Sequence, residues 1–538
     1  MDDVYDGIIL GAGHNGMIAQ AYLCKAGLKV LSVDRRAVSG GGLTTEEEVA
    51  RPGYLHNTHA VFCRAVTSMP WYRDLELERH GLEMIEPEMN VALMTKDQDV
   101  LQWWTNFDKT YESVARFSRK DADTLRRWYE EFVPIVEKVL RPELASPPLP
   151  AERRNALLAK TRAGERLLEV AKMSPLEFVQ REFESPVVQA GLIFFNGLRE
   201  VDMRVRGFGH HIAMLLASPA KAQMPKGGTA ELGKAIASAV REAGGDIMLD
   251  TEIKRIIVEN GRAAGIETMD GKVIKARKFV ASTLNPAQTF LELLRPEFVP
   301  PAWQEKAQGF KFNLVAPLMS LHLNLKAAPD YLAAKKIPSA NDCFMVIMGI
   351  DNLQTFQQMF ECHERGIMPP GPILYGACQT RHDATQAPAG KHTAFVWQKV
   401  PYHLYGNSDN WDRYKDKVGR EMLDQWIRYA PNLGSDVEHW FTRSPRDTAR
   451  ELPNMGEGDT LGGAFTNGQY FDGRPFAGAG NYRTYLPGLY MCGSATHPGG
   501  NVTGLPGHNA AQVVLSDLGI KADWFPPSME AQLEAMAR

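Results

Sequence analysis

An apolar run from Val4 to Leu10 ends in Gly11-Ala12-Gly13-His14-Asn15-Gly16. A strand that meets a G-x-G-x-x-G loop and continues into a small-residue helix (Ala19, Ala21, Leu23) has few folds open to it. The first glycine permits a tight turn, the second lets backbone approach a pyrophosphate, and the third lets helix and strand pack closely. Gly27 closes the helix, and Lys29 to Val33 reads as a second strand ending at Asp34. An acid there is placed to accept hydrogen bonds from a ribose diol, with the phosphates at the positive end of the helix. The unit is a dinucleotide-binding βαβ, and the fold class is α/β.

At 538 residues the chain is long enough for more than one domain. Helical spacing appears at Asp121 to Val133 (Leu125, Trp128, Phe132), Leu157 to Val170 and Pro175 to Phe183, so residues 76–219 read as mainly helical. After Pro225-Lys226-Gly227-Gly228 come a helix from Glu231 to Ala243, a strand near Ile247 and another at Ile253 to Val258. Turns at Asn260-Gly261 and Asp270-Gly271 lead to apolar Val273 and Val280. Residues 296–454 mix strands (Leu318 to Leu325, His392 to Val400) with a helix from Trp411 to Tyr429. A strand at Leu489 to Cys492 and a helix from about Gly507 to Leu518 follow. The expected architecture is a discontinuous Rossmann-like nucleotide domain from 1–75, 220–295 and 455–520. An α+β substrate domain from 76–219 and 296–454 interleaves with it, and 521–538 forms a tail.

Composition narrows the function classes. With 44% hydrophobic and 23% charged residues and a net charge of −4, the chain presents no global positive field for nucleic acid. Basic residues between Arg153 and Arg166 sit on an amphipathic pattern with Leu157, Leu158, Leu167 and Leu168. A solvated helix face is the favoured reading there, and contact with a membrane surface the lesser one. Six cysteines lie far apart with no C-x-x-C, which removes thiol–disulfide exchange and Cys-rich zinc sites and fits a reducing compartment. The acidic start runs straight into a strand without the pattern of a cleavable leader, and no window reaches the ~18 apolar residues of a membrane span. A cytoplasmic protein is expected, with peripheral membrane contact as the alternative. No spacing suggests a metal site, no Ser-His-Asp arrangement is legible, and Gly493-Ser494 lacks the G-x-S-x-G of a nucleophile elbow.

The choice of dinucleotide rests on the residues after Asp34. Arg35 and Arg36 alone suggest a 2′-phosphate and hence NADP. However, Arg36-Ala37-Val38-Ser39-Gly40-Gly41-Gly42-Leu43-Thr44-Thr45, followed by Pro52-Gly53-Tyr54, resembles the R-x-x-x-G-G-x-x-T element and downstream P-G-[YF] of FAD enzymes in the amine oxidase and phytoene desaturase superfamily. That superfamily often has arginine after the glycine pair; Gly42 stands here, so that phosphate contact is missing or supplied from elsewhere. Leu486 to Gly500, reading LPGLYMCGSATHPGG, and then Val502 to Ala511 are similar to the phytoene-dehydrogenase-like group. That group includes carotenoid desaturases, carotenoid isomerases and retinol saturase; Arg474-Pro475, Tyr482-Arg483-Thr484 and Ser282 to Pro286 fit it as well. The resemblance implies FAD held by a discontinuous Rossmann-like FAD-binding domain. Candidate contacts are Gly11, Gly13, His14, Asn15, Gly16, Asp34, Arg35, Arg36, Gly41, Gly42, Leu43, Thr44, Ile253, Gly493, Ser494, Gly500, Val502 and Thr503. A helix starting near Gly504 to Gly507 would aim free N–H groups at the flavin edge that gains negative charge on reduction.

The leading expectation is an FAD-dependent dehydrogenase or desaturase that moves hydride from an apolar or alicyclic substrate carbon to flavin N5. Redox-neutral isomerisation or saturation on reduced FAD is the first alternative. A non-catalytic prenyl- or lipid-binding module of the GDP-dissociation-inhibitor type, which shares the superfamily's fold, is another. An amine oxidase ranks lower, because that family usually carries a Glu in the stretch reading Gly493-Ser494-Ala495-Thr496. No second G-x-G-x-x-G is present for NAD(P)H, so substrate is expected to reduce the flavin and oxygen, a quinone or another carrier to reoxidise it. His56 and His59, just past the glycine element, are candidates for a base or a substrate hydrogen bond. His210-His211 and His363 are expected to be structural, and Trp103-Trp104 and Ile193-Phe194-Phe195 to be core.

Overall fold

Val4–Leu10 lies inside a parallel sheet. Ile8, Ile9 and Leu10 are all buried although successive side chains point to opposite faces, as in a strand covered on both sides. The computed structural model describes residues 4–48, 50–196, 201–217 and 222–537. Val30–Val33 pairs with the first strand on one side, placing Leu10 opposite Val33, and Val273–Ser282 on the other, placing Leu10 opposite Ser282. Both pairings are parallel. The sheet continues through Asp246–Met248 beyond Val30–Val33, and through antiparallel Arg262–Thr268 and Ile253–Glu259 beyond Val273–Ser282. Leu489–Met491 adds in parallel to the end of Val273–Ser282. Helix His14–Lys25 is buried along nearly its whole length, because Thr229–Glu242 and Leu505–Asp517 both pack against it. The fold is α/β, with a Rossmann-like dinucleotide-binding sheet drawn from three stretches of chain.

A second seven-stranded sheet runs in the order Val437–Arg443, Leu318–Leu325, His392–Lys399, Leu374–Ala377, Met345–Met348, Met89–Met94, Val100–Trp104. It is antiparallel except where Met345–Met348 meets Met89–Met94. Helices Arg119–Ile135, Arg162–Ala171, Pro175–Glu182 and His210–Ala217 share one apolar core with it, around Trp128, Phe132, Phe178 and Phe194.

Several expectations change. Residues 76–219 are mainly helical as expected, but Met89–Met94 and Val100–Trp104 are strands of the second sheet. The stretch from Leu157 to Val170 is two helices, Ala151–Leu158 and Arg162–Ala171, divided where the Thr161 hydroxyl accepts the Gly164 N–H at 3.0 Å. The boundary at 219–220 and the side chain of Phe195 lie outside the described residues. Trp103 and Phe194 are core, and all six cysteines are buried and unbridged. Three of the five basic residues from 153 to 166 meet carboxylates: Arg153 pairs with Glu530 and Glu534, Arg154 with Glu143, and Arg166 with Glu131 and Glu169. The tail is built in. Trp524 and Phe525 pack against Tyr22, and helix Met529–Met536 adds Met529 and Leu533 to the large core. Among the described residues no helix is long and apolar enough to cross a membrane.

Candidate active site

Steric surroundings separate the three glycines of the first loop. A Cβ on Gly11, whose φ is +99°, would collide with the Thr283 hydroxyl, and one on Gly16 would lie 2.5 Å from the Gly11 carbonyl oxygen. Packing of the protein alone requires both. Gly13 differs: its φ of −72° suits any residue, and its Cβ would meet only Gly41 Cα, at 3.8 Å. Room beside Gly13 at a helix N-terminus is what a pyrophosphate needs. Asp34, after Val30–Val33, accepts the Ala12 N–H through Oδ2 (2.8 Å) and the Arg36 N–H through Oδ1 (3.0 Å). The Thr251 N–H bonds to the Asp34 carbonyl, and Ile253 follows two residues later.

Arg36 holds the second glycine loop in place. Its Nη1 donates to the Gly41 carbonyl (3.0 Å) and the Thr44 hydroxyl (3.3 Å), while Nη2 pairs with Glu451 at 2.8 Å. Arg35 donates to the carbonyls of Arg450 and Glu451. Gly40 bridges to Gly13, so the two glycine loops lie side by side, and Leu43 is buried beneath them. A Cβ on Gly42 would sit 3.2 Å from the Met455 methyl and 3.9 Å from His59 Cβ.

The His59 side chain is buried with Nε2 3.2 Å from Glu451 Oε2, and Glu451 also pairs with Arg443. Burial holds the His59 imidazole below its usual range, with the Glu451 hydrogen bond opposing, so the ring is neutral at neutral pH. Burial also raises the Glu451 carboxyl, but the His59 hydrogen bond and the charges of Arg443 and Arg36 outweigh it and hold the group at about 2. His56 is placed elsewhere. It is not part of the cavity wall to which His59 belongs; its Nε2 lies 2.8 Å from Asn324 Oδ1, and its ring packs against His322 and Phe441. Desolvation pulls it to about 4. Its surroundings make it a structural residue rather than a base.

A cavity of about 1060 Å³ opens where these loops meet the C-terminal glycine-rich stretch. His14, Gly42, His59, Ser494, Val502 and Thr503 line that end. His14 Nε2, Asn15 Oδ1 and Thr503 Oγ1 are buried there without a hydrogen-bond partner, while Asn15 Nδ2 donates to Ser494. Burial pulls His14 to about 4, so its ring is neutral. Orphaned polar atoms beside an open glycine loop suit a polar heterocycle with a polyol chain. Gly493 and Gly500 are packing glycines: a Cβ on either would collide with a carbonyl, of Thr283 and Leu461 respectively. Helix Leu505–Asp517 begins at this end, capped by Gly504 with φ +65°. A Cβ on Gly504 would lie 2.5 Å from Trp71 Nε1, and that indole donates to the Thr503 carbonyl at 2.6 Å. Ladder bonds start with His508 N–H to the Gly504 carbonyl, leaving the Leu505 and Gly507 N–H groups without a ladder partner; Pro506 has none to offer.

Deeper in, the cavity is walled by Phe62, Met214, Leu215, Leu318, Tyr375 and Trp397. Its outer end is lined by Arg73, Glu137, Arg141 and the tail residues Asp523 to Pro526. Two wall residues carry no signal in the sequence. His211 lines the cavity with Nε2 3.0 Å from the Tyr470 hydroxyl, whereas His363 is structural, bonding to the Lys399 carbonyl. Arg64 lines the cavity with Nη2 buried and unpartnered. No group of three or more His, Cys, Asp or Glu among the described residues is placed to hold a metal ion.

Residues 16–328 match the family described as flavin containing amine oxidoreductase. A limonene dehydrogenase chain of Castellaniella defragrans is 28% identical over 97% of this chain and 96% of its own length. The lycopene-forming phytoene desaturase of a Paracoccus species is 26% identical over 54% of this chain and 55% of its own. Among solved structures, cyclohexylamine oxidase from Brevibacterium oxydans is similar in fold, with a TM-score of 0.58 over 96% of this chain and 100% of its own, at 16% identity.

Proposed function

This chain belongs to the flavin containing amine oxidoreductase family and is a phytoene-desaturase-like, FAD-dependent oxidoreductase, and we propose that it dehydrogenates an apolar or alicyclic small molecule held in the cavity. FAD, when bound, supplies the hydride acceptor; the chain supplies placement, dryness and electrostatics. Gly11 to Gly16 and Asp34 take the pyrophosphate and ribose, and the Gly41 to Thr44 loop lies alongside. Asn15, Ser494 and Thr503 would offer polar atoms to the cofactor's polar edge, and the free Leu505 and Gly507 N–H groups at the start of the last glycine-loop helix would favour the negative charge of the reduced flavin. His59, neutral and backed by Glu451, is the group placed to accept the proton that leaves with the hydride.

One observation carries this reading: the cavity joins the glycine loops directly to a chamber walled by Phe62, Leu215, Leu318 and Trp397. Such a wall buries a carbon skeleton and offers few groups to bind a polar one. The relative named for limonene and the one named for phytoene fit an apolar substrate as well. An amine fits less well, because among the described residues the unpartnered ionic group on the wall is a cation, Arg64, whose Nη2 is buried.

The test is anaerobic incubation of the holoprotein with limonene and other unsaturated or alicyclic compounds, following flavin absorbance and analysing products. Dehydrogenation gives bleached flavin and one product per flavin. Product in excess of flavin, with no bleaching, means isomerisation. A colourless purified protein that still binds these compounds means a lipid-binding module.

A further inference from the structure

Arg64, half-buried in the cavity wall with its Nη2 fully buried and unpartnered, is the one cation there for which the fold provides no counter-charge among the described residues. It sits between Cys63 and Val66, both fully buried, on a segment shaped by an unusual backbone. Ala65 has φ +51° and ψ +29°, a left-handed conformation that strains an alanine and persists only where its surroundings impose it. The following turn is fixed by Ser68 N–H to the Ala65 carbonyl and by Thr67 N–H to Gln223 Oε1. Arg64 and Ala65 thereby form part of the cavity wall, with Val61 and Phe62 on the apolar side and Thr67 and Arg73 toward the outer end.

The other carboxylate and guanidinium groups on that wall are either paired or in water. Glu137 and Arg141 pair at 2.7 Å, Arg73 pairs with Asp74 at 3.1 Å, and Asp523 is exposed. His14 and His59 are neutral. Burial lowers the Arg64 guanidinium to about 10, which leaves it charged at neutral pH. A charge taken out of water without a partner is costly, and a ligand that supplies the opposite charge recovers that cost on binding. Of the two glycine loops only His14 and Gly42 reach this cavity; Gly11, Gly13 and Asp34, which would hold the pyrophosphate and ribose, do not line it.

We propose that Arg64 is a specificity-determining residue that anchors a carboxylate on the substrate, so that the natural substrate is an apolar carbon skeleton ending in a carboxylic acid. The guanidinium fork matches a carboxylate through two parallel N–H···O bonds. One unpaired positive charge balances one negative charge, which favours a monocarboxylate over a phosphate dianion. With the acid held at Arg64, the apolar remainder extends along Phe62 and Leu318, and the anchor fixes which carbon lies at the Gly42 and Thr503 end. This inference rests on the dehydrogenase reading for its consequence, but its test reads binding alone.

Oxidised holoprotein is titrated with octanoate and with its neutral isostere octanamide, following the flavin absorbance spectrum. Wild type should bind octanoate at least about tenfold more tightly than octanamide. Arg64→Gln should abolish that preference by weakening octanoate at least about tenfold and leaving octanamide within about threefold, and Arg64→Lys should restore part of it. At pH 9, where octylphosphonate is a dianion and the guanidinium is still charged, octylphosphonate should bind more weakly than octanoate. Equal binding of octanoate and octanamide by wild type overturns the proposal without any variant, as does the absence of a response to both. A shift of the ligand-free flavin potential in Arg64→Gln, with the octanoate preference retained, also overturns it and gives the guanidinium to the flavin. None of these readouts needs turnover, so failure to dehydrogenate any compound leaves them standing.

Discussion

Gly13→Val separates the cofactor's demands from the fold's. Gly13 has an extended backbone, φ −72° and ψ +166°, that valine adopts freely, and its Cβ would find only Gly41 Cα within reach, at 3.8 Å. It caps its helix without a side-chain hydrogen bond, so no cap is lost. Folding stability of the apoprotein should therefore change by less than about 1 kcal/mol. The nucleotide is another matter. Side-chain atoms in the cradle hold the pyrophosphate off the helix N-terminus, removing about two charge-assisted N–H···O bonds at roughly 1.5–3 kcal/mol each. FAD should bind weaker by about 3–6 kcal/mol, a factor on the order of a hundred to ten thousand. Gly16→Ala is the control: its Cβ would lie 2.5 Å from the Gly11 carbonyl oxygen, so the apoprotein itself should lose about 1–3 kcal/mol. Apoprotein melts and FAD titration by fluorescence quenching measure the two effects separately. FAD affinity within tenfold of wild type in Gly13→Val, or an apoprotein as damaged as Gly16→Ala, would refute the reasoning.

Other outcomes follow from the same geometry. Asp34→Ala should weaken FAD by roughly 1–3 kcal/mol, since the ribose loses its charged acceptor and Ala12 N–H its partner at 2.8 Å; unchanged affinity in an apoprotein titration would remove Asp34 from the site. Glu451 has a folded pKa depressed to about 2, so its contribution to stability is present above its ordinary range near 4.5 and is lost as pH falls toward 2. Glu451→Gln should cost about 1–3 kcal/mol at pH 7, less than a fully buried pair because the group is partly exposed, and should flatten the acid limb of a plot of melting temperature against pH. A parallel acid limb in both proteins would mean that Glu451 does not hold Arg36, His59 and Arg443 together. Inserting one Ala between Gly504 and Leu505 should shift the first helical N–H groups while Gly11 to Gly16 still hold FAD. The flavin potential should then fall and turnover drop about ten- to a thousandfold, whereas an unchanged potential with FAD retained would mean the helix only closes the fold.

Helix Trp411–Tyr429 is legible to its ends because Val418, Met422, Leu423 and Trp426 recur at helical spacing and are all buried. Strand Met89–Met94 is not, because MNVALM is apolar but for Asn90 and buried at every position, and such a run carries no period to tell strand from helix. Its partner Met345–Met348 lies some 250 residues away, beyond any local signal. The cofactor is legible for a physical reason as well: backbone must approach phosphate, and only glycine spacing allows that within one loop. Substrate-wall residues lack such a code. Arg64, His211 and the Asp523 to Pro526 segment reach the cavity from separate parts of the chain. Arg64 depends further on the left-handed turn at Ala65, which no residue preference announces. His56 and His59 look alike in sequence, and only the antiparallel Thr45–Glu47 and Leu55–Asn57 pair shows that the first turns toward Asn324 while the second meets the cavity.

The central claim is that substrate carbon, not a pyridine nucleotide, reduces a flavin seated between the glycine loops and the apolar chamber. Anaerobic rapid mixing of the oxidised holoprotein, with NADH, NADPH or a panel of unsaturated and alicyclic hydrocarbons and their carboxylic acids, tests it directly. Fast bleaching of the flavin by at least one member of the panel, and slow bleaching by both nucleotides at micromolar concentration, are expected. Rapid bleaching by NADH or NADPH, with no response to any carbon substrate, would contradict the claim.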